Sequence, residues 1–181
     1  TKTFDGTTAV TSRSLGTGYT ISGNVAGESV ASVTLSYDNA NVSRGIDGTV
    51  LSDKTINVSG ATAAAGTDFA NYTIQYAATN AATITPASLR VTTLDLAKIY
   101  DGTTVGRGTA VVVADGATRL IGGATLSGGS FAFADANVGT NKMVTVSSVS
   151  VNDGNSGGNY FITYIPNTSS TITPYVVSLT G

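Results

Sequence analysis

One heptapeptide occurs twice in this chain and guides the interpretation of what surrounds it. Lys98-Ile99-Tyr100-Asp101-Gly102-Thr103-Thr104 follows Lys2-Thr3-Phe4-Asp5-Gly6-Thr7-Thr8 at a distance of 96 residues. An Asp-Gly pair before two threonines predicts a turn, because aspartate accepts a hydrogen bond from the backbone two residues on and glycine adopts positive φ without steric cost. The lysine is predicted to lie along an aromatic ring. We therefore assign a structural role to Lys2, Phe4, Asp5, Gly6, Lys98, Tyr100, Asp101 and Gly102.

The repetition extends along most of the chain. Residues 37–42 correspond to residues 133–138 at the same distance, and residues 54–86 correspond to residues 142–174 at a distance of 88. The change of distance places an eight-residue insertion between Val42 and Lys54, whose turn-forming residues predict a longer loop or a hairpin tip. A repeat of this length, with its motifs in the same order, predicts two copies of one structural unit.

Alternation of apolar and polar residues predicts strands throughout, and no segment has a convincing helical period. Residues 72–76 and 160–164 alternate in the same way, and residues 110–114 form an apolar run before a turn. The alternation in residues 143–151 changes phase at residues 147–148, which predicts a bulge or a tight turn. The side chains predicted to share one face of the strand that enters the second copy are Leu94, Leu96, Lys98 and Tyr100.

Two prolines are predicted to mark module boundaries. Pro86 and Pro174 each follow an alternating segment and cannot donate to a strand ladder. We predict an all-β fold of two tandem mainly-β modules: residues 1–86, without a leading strand, and residues 87–174, with residues 175–181 beginning a third copy. A two-layer sandwich is favoured. The alternative is a β-grasp-like sheet with one short helix per module, at residues 61–65 or 115–120.

The composition excludes several classes of function. The 181 residues include no His, no Cys, 30 Thr, 19 Ser and one Glu. This removes the usual zinc, haem and iron–sulfur ligands, and also the Ser-His-Asp and Cys-His nucleophile systems. A net charge of −2 argues against a nucleic-acid partner, and no apolar run approaches the roughly 20 residues of a membrane helix. We predict no enzymatic activity, no catalytic residue, no cofactor and no membrane insertion. Without an initiator Met or a visible signal peptide, the chain is expected to be an excised fragment.

Two Asn-Tyr pairs are predicted to form a turn followed by a core aromatic residue. They are Asn71-Tyr72 and Asn159-Tyr160. Binding of a sugar to Tyr160 or Tyr164 is the alternative. A second alternative is a Lys–Asn amide crosslink, drawn between Lys54 and Asn71 or between Lys142 and Asn159.

No metal site is predicted. The segments 135–137 and 153–155 offer carboxylate and amide oxygens, but neither has the regular ligand series and closing Glu of a calcium loop. Four Asn-x-Ser/Thr patterns, at Asn41, Asn57, Asn71 and Asn167, are expected to arise by chance in a chain so rich in Ser and Thr, although glycosylation in secreted adhesins is the alternative.

The ordered set of motifs resembles the YDG domain. It consists of Lys-x-Tyr/Phe-Asp-Gly-Thr-Thr, then Phe-Ala-Asp-Ala-Asn-Val-Gly, then Asn-Tyr-x-Ile, and finally Ile-Thr-Pro. The first copy departs from it, with Phe4 in place of Tyr and Tyr37-Asp38-Asn39 in place of Phe-Ala-Asp. Such modules occur in tandem in large bacterial surface proteins, many of which resemble filamentous haemagglutinin and are exported by two-partner secretion. The resemblance implies a secreted or cell-surface location and roles in adhesion and biofilms.

The function expected from this resemblance is that of a spacer. Stalk modules would hold a distal binding region away from the cell, with adjacent repeats of the same chain as partners. The alternative is an adhesive module for a glycan or a host or cell-surface protein, with unknown ligand-binding residues; the candidate segments are 44–50 and 107–119. The tail, residues 175–180, is also expected to pair with the exposed edge of a neighbouring molecule's first module, in place of its missing leading strand.

Overall fold

The computed structural model describes residues 1–10, 16 and 18–181, and their regular structure is almost entirely strand. The predicted all-β class is confirmed. The strands form several sheets, as expected for segments rich in Thr, Val and Ile, which fit a pleated surface. The chain divides into two compact units, unit 1 (Thr1–Pro86) and unit 2 (Ala87–Gly181). No helix in the described part of the chain has the length and apolar character needed to cross a membrane.

Unit 1 has five strands among its described residues. They are β1 (Lys2–Thr3), β2 (Val30–Tyr37), β3 (Lys54–Ala63), β4 (Thr79–Ala82) and β5 (Ile84–Thr85). The order β2-β3-β4 forms an antiparallel sheet, and β1 pairs with β5 in parallel. The side chains most deeply buried in this unit are Leu35 and Ile84.

Unit 2 has eight strands, arranged in two sheets. They are β6 (Ala87–Thr93), β7 (Ala97–Ile99), β8 (Val105–Gly106), β9 (Ala110–Val112), β10 (Thr125–Phe133), β11 (Gly139–Asn152), β12 (Tyr160–Tyr164) and β13 (Asn167–Thr173). One sheet has the order β7-β13-β11-β10-β8 and the other β12-β6-β9. Strand β6 packs against β11, which buries Leu89, Val91 and Val144 completely.

The strand registers of unit 1 recur in unit 2 at the distances of the sequence repeat. Lys2 pairs with Ile84 as Lys98 pairs with Ile172. The β2–β3 register recurs in β10–β11, and the β3–β4 register recurs in β11–β13. The same residues of the repeat therefore occupy the same positions in the sheets of both units.

One sheet of unit 2 has no counterpart among the described residues of unit 1. Strand β12 pairs in parallel with β6, from Tyr160 opposite Ala87 to Tyr164 opposite Val91. Residues 72–76, which correspond to β12, belong to no strand, although they have the same alternating pattern. An alternating pattern thus becomes a strand only where a partner strand is present.

Two predictions about local structure are wrong. Neither segment proposed for a β-grasp helix is helical: residues 61–63 end β3, residues 115–120 form a bend and an irregular loop, and the helical turn in unit 1 is the 3-10 helix Phe69–Asn71. The strand containing Lys98 is also shorter than predicted. It covers only Ala97–Ile99, so Leu94 and Tyr100 lie outside it and are exposed, whereas Leu96 is buried.

The predicted phase change in β11 is confirmed, but it is neither a turn nor an inserted residue. Val144 and Val146 are buried before it, and Val149 and Val151 after it. The pairing with β10 keeps one register across the change, and Ser148 has a φ of 54°. Gly60, at the corresponding place in unit 1, has a φ of 58°. A single residue with left-handed backbone therefore shifts the inward-facing side chains by one position along the strand.

The two prolines and the insertion of unit 1 lie outside the strands. Pro86 separates β5 from β6, and Pro174 directly follows β13. The insertion in unit 1 is a small hairpin-like loop, closed by a bridge between Arg44 and Val50. The Asp47 carboxylate accepts hydrogen bonds from the backbone and the hydroxyl of Thr49 at the tip of this loop.

Candidate functional site

The repeated heptapeptide forms a compact polar cluster in each unit, which we call the lysine clasp (Lys2, Asp5 and Thr7 in unit 1; Lys98, Asp101 and Thr103 in unit 2). The Lys2 Nζ atom lies 2.6 Å from Asp5 Oδ1 and 2.7 Å from the Thr7 carbonyl oxygen, and it also donates to the Ala9 carbonyl at 3.3 Å. Its side chain is only 5% exposed. The ammonium is thus removed from water and surrounded by acceptors, the arrangement that a buried cation requires.

The clasp of unit 2 has the same geometry. The Lys98 Nζ atom lies 2.6 Å from Asp101 Oδ1, 2.9 Å from the Thr103 carbonyl and 3.0 Å from the Val105 carbonyl. Val105 stands 96 residues after Ala9. Two segments with different neighbouring side chains therefore hold their lysine through equivalent acceptors.

The turn within each clasp follows the predicted chemistry. Asp5 Oδ1 accepts from the backbone N–H and the hydroxyl of Thr7, and Asp101 does the same for Thr103, each at 2.9 Å. Gly6 and Gly102 have φ values of 77° and 76°, a region that glycine enters without a Cβ clash. The predicted turn is confirmed in both copies.

An aromatic ring stands beside each lysine, as predicted. The Lys2 Nζ atom is 5.6 Å from the centre of the Tyr37 ring, and Lys98 Nζ is 5.8 Å from that of Phe133. The Tyr37 ring belongs to β2, and the Phe133 ring belongs to the corresponding strand of unit 2, β10. The ring comes from the second motif of the repeat, so the clasp joins two motifs that are far apart in sequence.

The electrostatics of the clasp hold its carboxylates in the ionised form. Hydrogen bonds from Lys98 and then from Thr103 lower the pKa of Asp101 to about 2. At Asp5, burial acts to raise the pKa, but hydrogen bonds from Lys2 and Thr7 outweigh it and the pKa is lowered. Burial and the charge of Asp5 raise the pKa of Tyr37. Carboxylates engaged in this way serve as fixed acceptors for the turn and the ammonium.

A second lysine in each unit binds a side chain that the sequence analysis did not pair with it. Lys54 is 4% exposed, and its Nζ atom donates to Asn39 Oδ1 at 2.7 Å. Lys142 forms an ion pair with Asp135, at the place corresponding to Asn39, and the Lys142 hydrogen bond lowers the pKa of Asp135. The crosslink pairs drawn to Asn71 and Asn159 are therefore wrong. Matching the repeats, with Asn39 against Asp135, would have found the partners.

The Asn-Tyr pairs differ between the units. Asn159 and Tyr160 are buried, which confirms the predicted core aromatic in unit 2 and argues against a sugar site at Tyr160. Tyr72 is half-buried, and Asn71 is exposed at the end of the 3-10 helix. The Asp153 carboxylate organises the loop before Asn159 by accepting from three backbone N–H groups, at 2.8, 2.8 and 3.2 Å. The described residues contain no cluster of three metal-binding side chains.

Two tyrosine hydroxyls in each unit anchor the segment that follows the Asn-Tyr pair. In unit 2, Tyr160 accepts from the Ile121 N–H at 2.7 Å, and Tyr164 from the Val149 N–H at 3.0 Å. In unit 1, the corresponding Tyr72 accepts from Val25 N–H at 3.2 Å, and Tyr76 from Ala61 N–H at 3.0 Å. Sequence reasoning missed these anchors; the signal was Tyr, rather than Phe, at both positions of both copies.

Unit 1 contains an open groove of about 790 Å³. Its floor includes Leu35, Ile56 and Val58, and residues 72–79 form one wall. The floor positions that correspond to Ile56 and Val58 are Val144 and Val146 in unit 2. These valines are buried, whereas Ile56 and Val58 are only half-buried. We call this feature the unit 1 groove.

Comparison with known proteins identifies a family for one part of the chain. No curated protein and no solved structure matches the chain. Among protein-family models, that of the YDG domain matches residues 85–170. The matched range runs from β5 to most of β13, and it includes the second lysine clasp and its Phe133 ring. The predicted resemblance is thereby confirmed for this part of the chain: residues 85–170 form a YDG domain.

Proposed function

We propose that the two units are tandem copies of one YDG-type module, whose two-layer β-sandwich has both layers in unit 2, and that they act as spacers in a secreted bacterial surface adhesin. The observation that carries the proposal is the agreement of strand registers between the units, together with the equivalent lysine clasps. The exposed side chains at corresponding positions differ, such as Thr73 and Phe161, or Gln75 and Thr163. A fold that is kept while its exterior varies is typical of modules used for length.

The acidic residues of the clasps favour a structural role over a catalytic one. Asp5 and Asp101 each accept from a lysine and a threonine, and the pKa of each is lowered. A general acid at neutral pH needs a raised pKa, so these carboxylates are suited to holding a turn. The proposal includes no catalytic step and no cofactor.

Single-molecule force spectroscopy on the 181-residue chain tests the spacer role. Two tandem modules should give two separate unfolding events, each releasing on the order of 300 Å of extended chain for about 86 residues. Lys98→Met should lower the unfolding force of one event and leave the other unchanged. One cooperative event for the whole chain would contradict the division into modules.

A second candidate function is adhesion, and one observation favours it. The unit 1 insertion has no counterpart in unit 2, and Ile46 at its tip is fully exposed. A glycan array and a panel of host surface proteins, probed with the chain and with Ile46→Ser, distinguish the two functions. Binding that Ile46→Ser abolishes would support adhesion through this loop, and binding to nothing on the panel would leave the spacer role.

A further inference from the structure

We propose that β12 of unit 2 pairs edge to edge with β12 of a second copy of this chain. The two strands would run antiparallel about Ile162, so that two sheets of order β12-β6-β9 become one continuous sheet of six strands. The inference goes beyond the spacer role and does not depend on it. Its evidence comes from strands that lie inside unit 2, between Ala87 and Thr173.

Strand β12 has one hydrogen-bonded edge and one open edge. Among the described strands, its one neighbour is β6. The Asn159 carbonyl accepts from the Ala87 N–H at 3.0 Å. The Ile165 N–H donates to the Val91 carbonyl at 2.8 Å. Because alternate residues of a parallel strand bond to the same neighbour, the odd-numbered residues face β6, and the N–H and C=O of Ile162 point to the open edge.

The open edge of β12 lacks the features that usually protect exposed sheet edges. Edge strands are commonly very short, or they carry Lys, other charges or Pro. The other edge strands described in unit 2 follow this rule, because β7, β8 and β9 have three residues or fewer and β7 contains Lys98. Strand β12 has five residues, Tyr-Phe-Ile-Thr-Tyr, with no charge, Pro or Gly. Such a sequence favours pairing with another strand.

The strand is complementary to a second copy of itself. Its alternating pattern Tyr160-x-Ile162-x-Tyr164 is the same in both directions, so an antiparallel pair centred on Ile162 places each tyrosine opposite a tyrosine. Ile162 of each copy would donate its N–H to the Ile162 carbonyl of the other, which satisfies the open groups at the centre. A two-fold interface requires a self-complementary patch, and this symmetry is the reason for assigning the occupant to a second copy.

The outward-facing side chains supply a further contact. Phe161 is 65% exposed, and Thr163 is exposed on the same face of the strand. In the proposed register, Phe161 lies opposite Thr163 of the second copy at a position without hydrogen bonds, where side chains approach most closely. Two such pairs of an aromatic and a β-branched residue form, and the two Phe161 rings become diagonal neighbours. The pairing therefore covers an aromatic ring that a single copy leaves in water.

Sedimentation velocity of the 181-residue chain over a range of concentrations tests the proposal. The wild type should change from monomer to dimer as its concentration rises, and association should stop there because the two edges close on each other. Phe161→Lys combined with Thr163→Lys should abolish the dimer, because the register then places like charges opposite each other at two positions. The control, Ser147→Lys combined with Ser150→Lys, adds the same charge to exposed positions of β11 and should retain the dimer.

A charge-reversal experiment separates a blocked edge from a misfolded chain. Phe161→Glu combined with Thr163→Glu should also give a monomer alone, but a mixture with the lysine variant should form a 1:1 complex, because opposite charges then face each other. Hydrogen exchange of the wild type should show protection of the Ile162 amide that increases with concentration. Three results would overturn the proposal: a wild type that is monomeric at every concentration, a dimer that the two lysines leave unchanged, or a mixture of the two charged variants that stays monomeric.

Discussion

Unit 1 and unit 2 share their strand registers and their lysine clasps, yet the second sheet that covers the central strands of unit 2 is absent from the described residues of unit 1. Strand β6 supplies Leu89 and Val91 to the interior of unit 2 and covers Val144. In unit 1 the corresponding floor lines an open groove, and the hydroxyls of Tyr72 and Tyr76 anchor its wall. The comparison shows that the antiparallel strands and the clasp form a common framework, and that the parallel strand closes it.

The largest loss of stability is expected when a buried side chain of β6 in unit 2 is truncated. Leu89→Ala removes a fully buried side chain and should lower the free energy of unfolding of unit 2 by about 3 kcal/mol, because lost burial and a residual cavity add. Val177→Ala, at the corresponding place in the exposed tail, should change stability by less than about 0.5 kcal/mol, because the side chain is 74% exposed. Urea unfolding followed by hydrogen exchange of individual peptides measures both. Equal losses at the two positions would contradict the difference between the units.

The lysine clasp should contribute more to the stability of unit 1 than to that of unit 2. Lys2→Met removes an ammonium that is 5% exposed and bonded to a carboxylate and to carbonyls, and it should cost about 2 kcal/mol. Lys98→Met should cost less, since the Lys98 side chain is 14% exposed and water can replace part of its contacts. Thermal unfolding followed by circular dichroism measures both variants.

Arg44→Met is the matched control for these lysines, because Arg44 lies in the exposed insertion loop and is expected to leave stability within about 0.5 kcal/mol. A cost for Lys98→Met as large as that for Lys2→Met would show that burial of the ammonium does not decide the contribution of the clasp.

The tyrosine hydroxyls that anchor these segments should contribute more to stability in unit 2 than in unit 1, the opposite of the order expected for the clasps. Tyr164→Phe leaves the Val149 N–H without its acceptor and should cost unit 2 about 1 kcal/mol. Tyr76→Phe should cost less, because Tyr76 is 48% exposed and water can reach the Ala61 N–H in its place. The exchange rates of the Val149 and Ala61 amides report each bond directly. Unchanged exchange at Val149 in Tyr164→Phe would show that this hydroxyl does not hold the segment.

The sequence predicted the parts of this structure that depend on local chemistry. The Asp-Gly-Thr turn, the ring beside each lysine, the buried Tyr160 and the phase change at Ser148 all follow from residue type and alternation. Alternation shows which side chains share a face, but it does not identify the partner strand. The parallel pairing of β6 with β12 joins segments more than 70 residues apart, and for this reason it could not be derived from the pattern.

The errors have equally local causes. Leu94 and Tyr100 extend the alternating pattern of Leu96 and Lys98 in both directions. The strand that pairs with β13 is only three residues long, so this pattern continues beyond the hydrogen-bonded residues. The partner of Lys54 was sought in an Asn-Tyr pair, although the turn at Asn39 presents a closer side-chain oxygen. Asn39 and Asp135 occupy corresponding positions, so a search of this position in both copies identifies the oxygen that each lysine binds.

The smallest change in stability is expected on acidification, and its size should differ between the two clasps. The pKa of Asp101 is lowered to about 2, mainly by Lys98, whereas an unfolded aspartate titrates near 3.9. The unfolded chain therefore binds a proton more readily, so the stability from this group is complete above about pH 4 and is lost as the pH falls towards 2. Asp101→Asn should lower the melting temperature at pH 7 and flatten its decline between pH 4 and 2.

Asp5→Asn should flatten the same curve less, because burial opposes the lowering of the Asp5 pKa before Lys2 and Thr7 outweigh it. Melting curves of the wild type and both variants at half-unit pH steps, at constant ionic strength, give the comparison. If Asp5→Asn flattened the curve more than Asp101→Asn, the buried clasp of unit 1 would be the more strongly coupled to protons. The bond from the more buried Lys2 would then lower the pKa of Asp5 by more than Lys98 lowers that of Asp101, which would reverse the expected ranking of the two clasps.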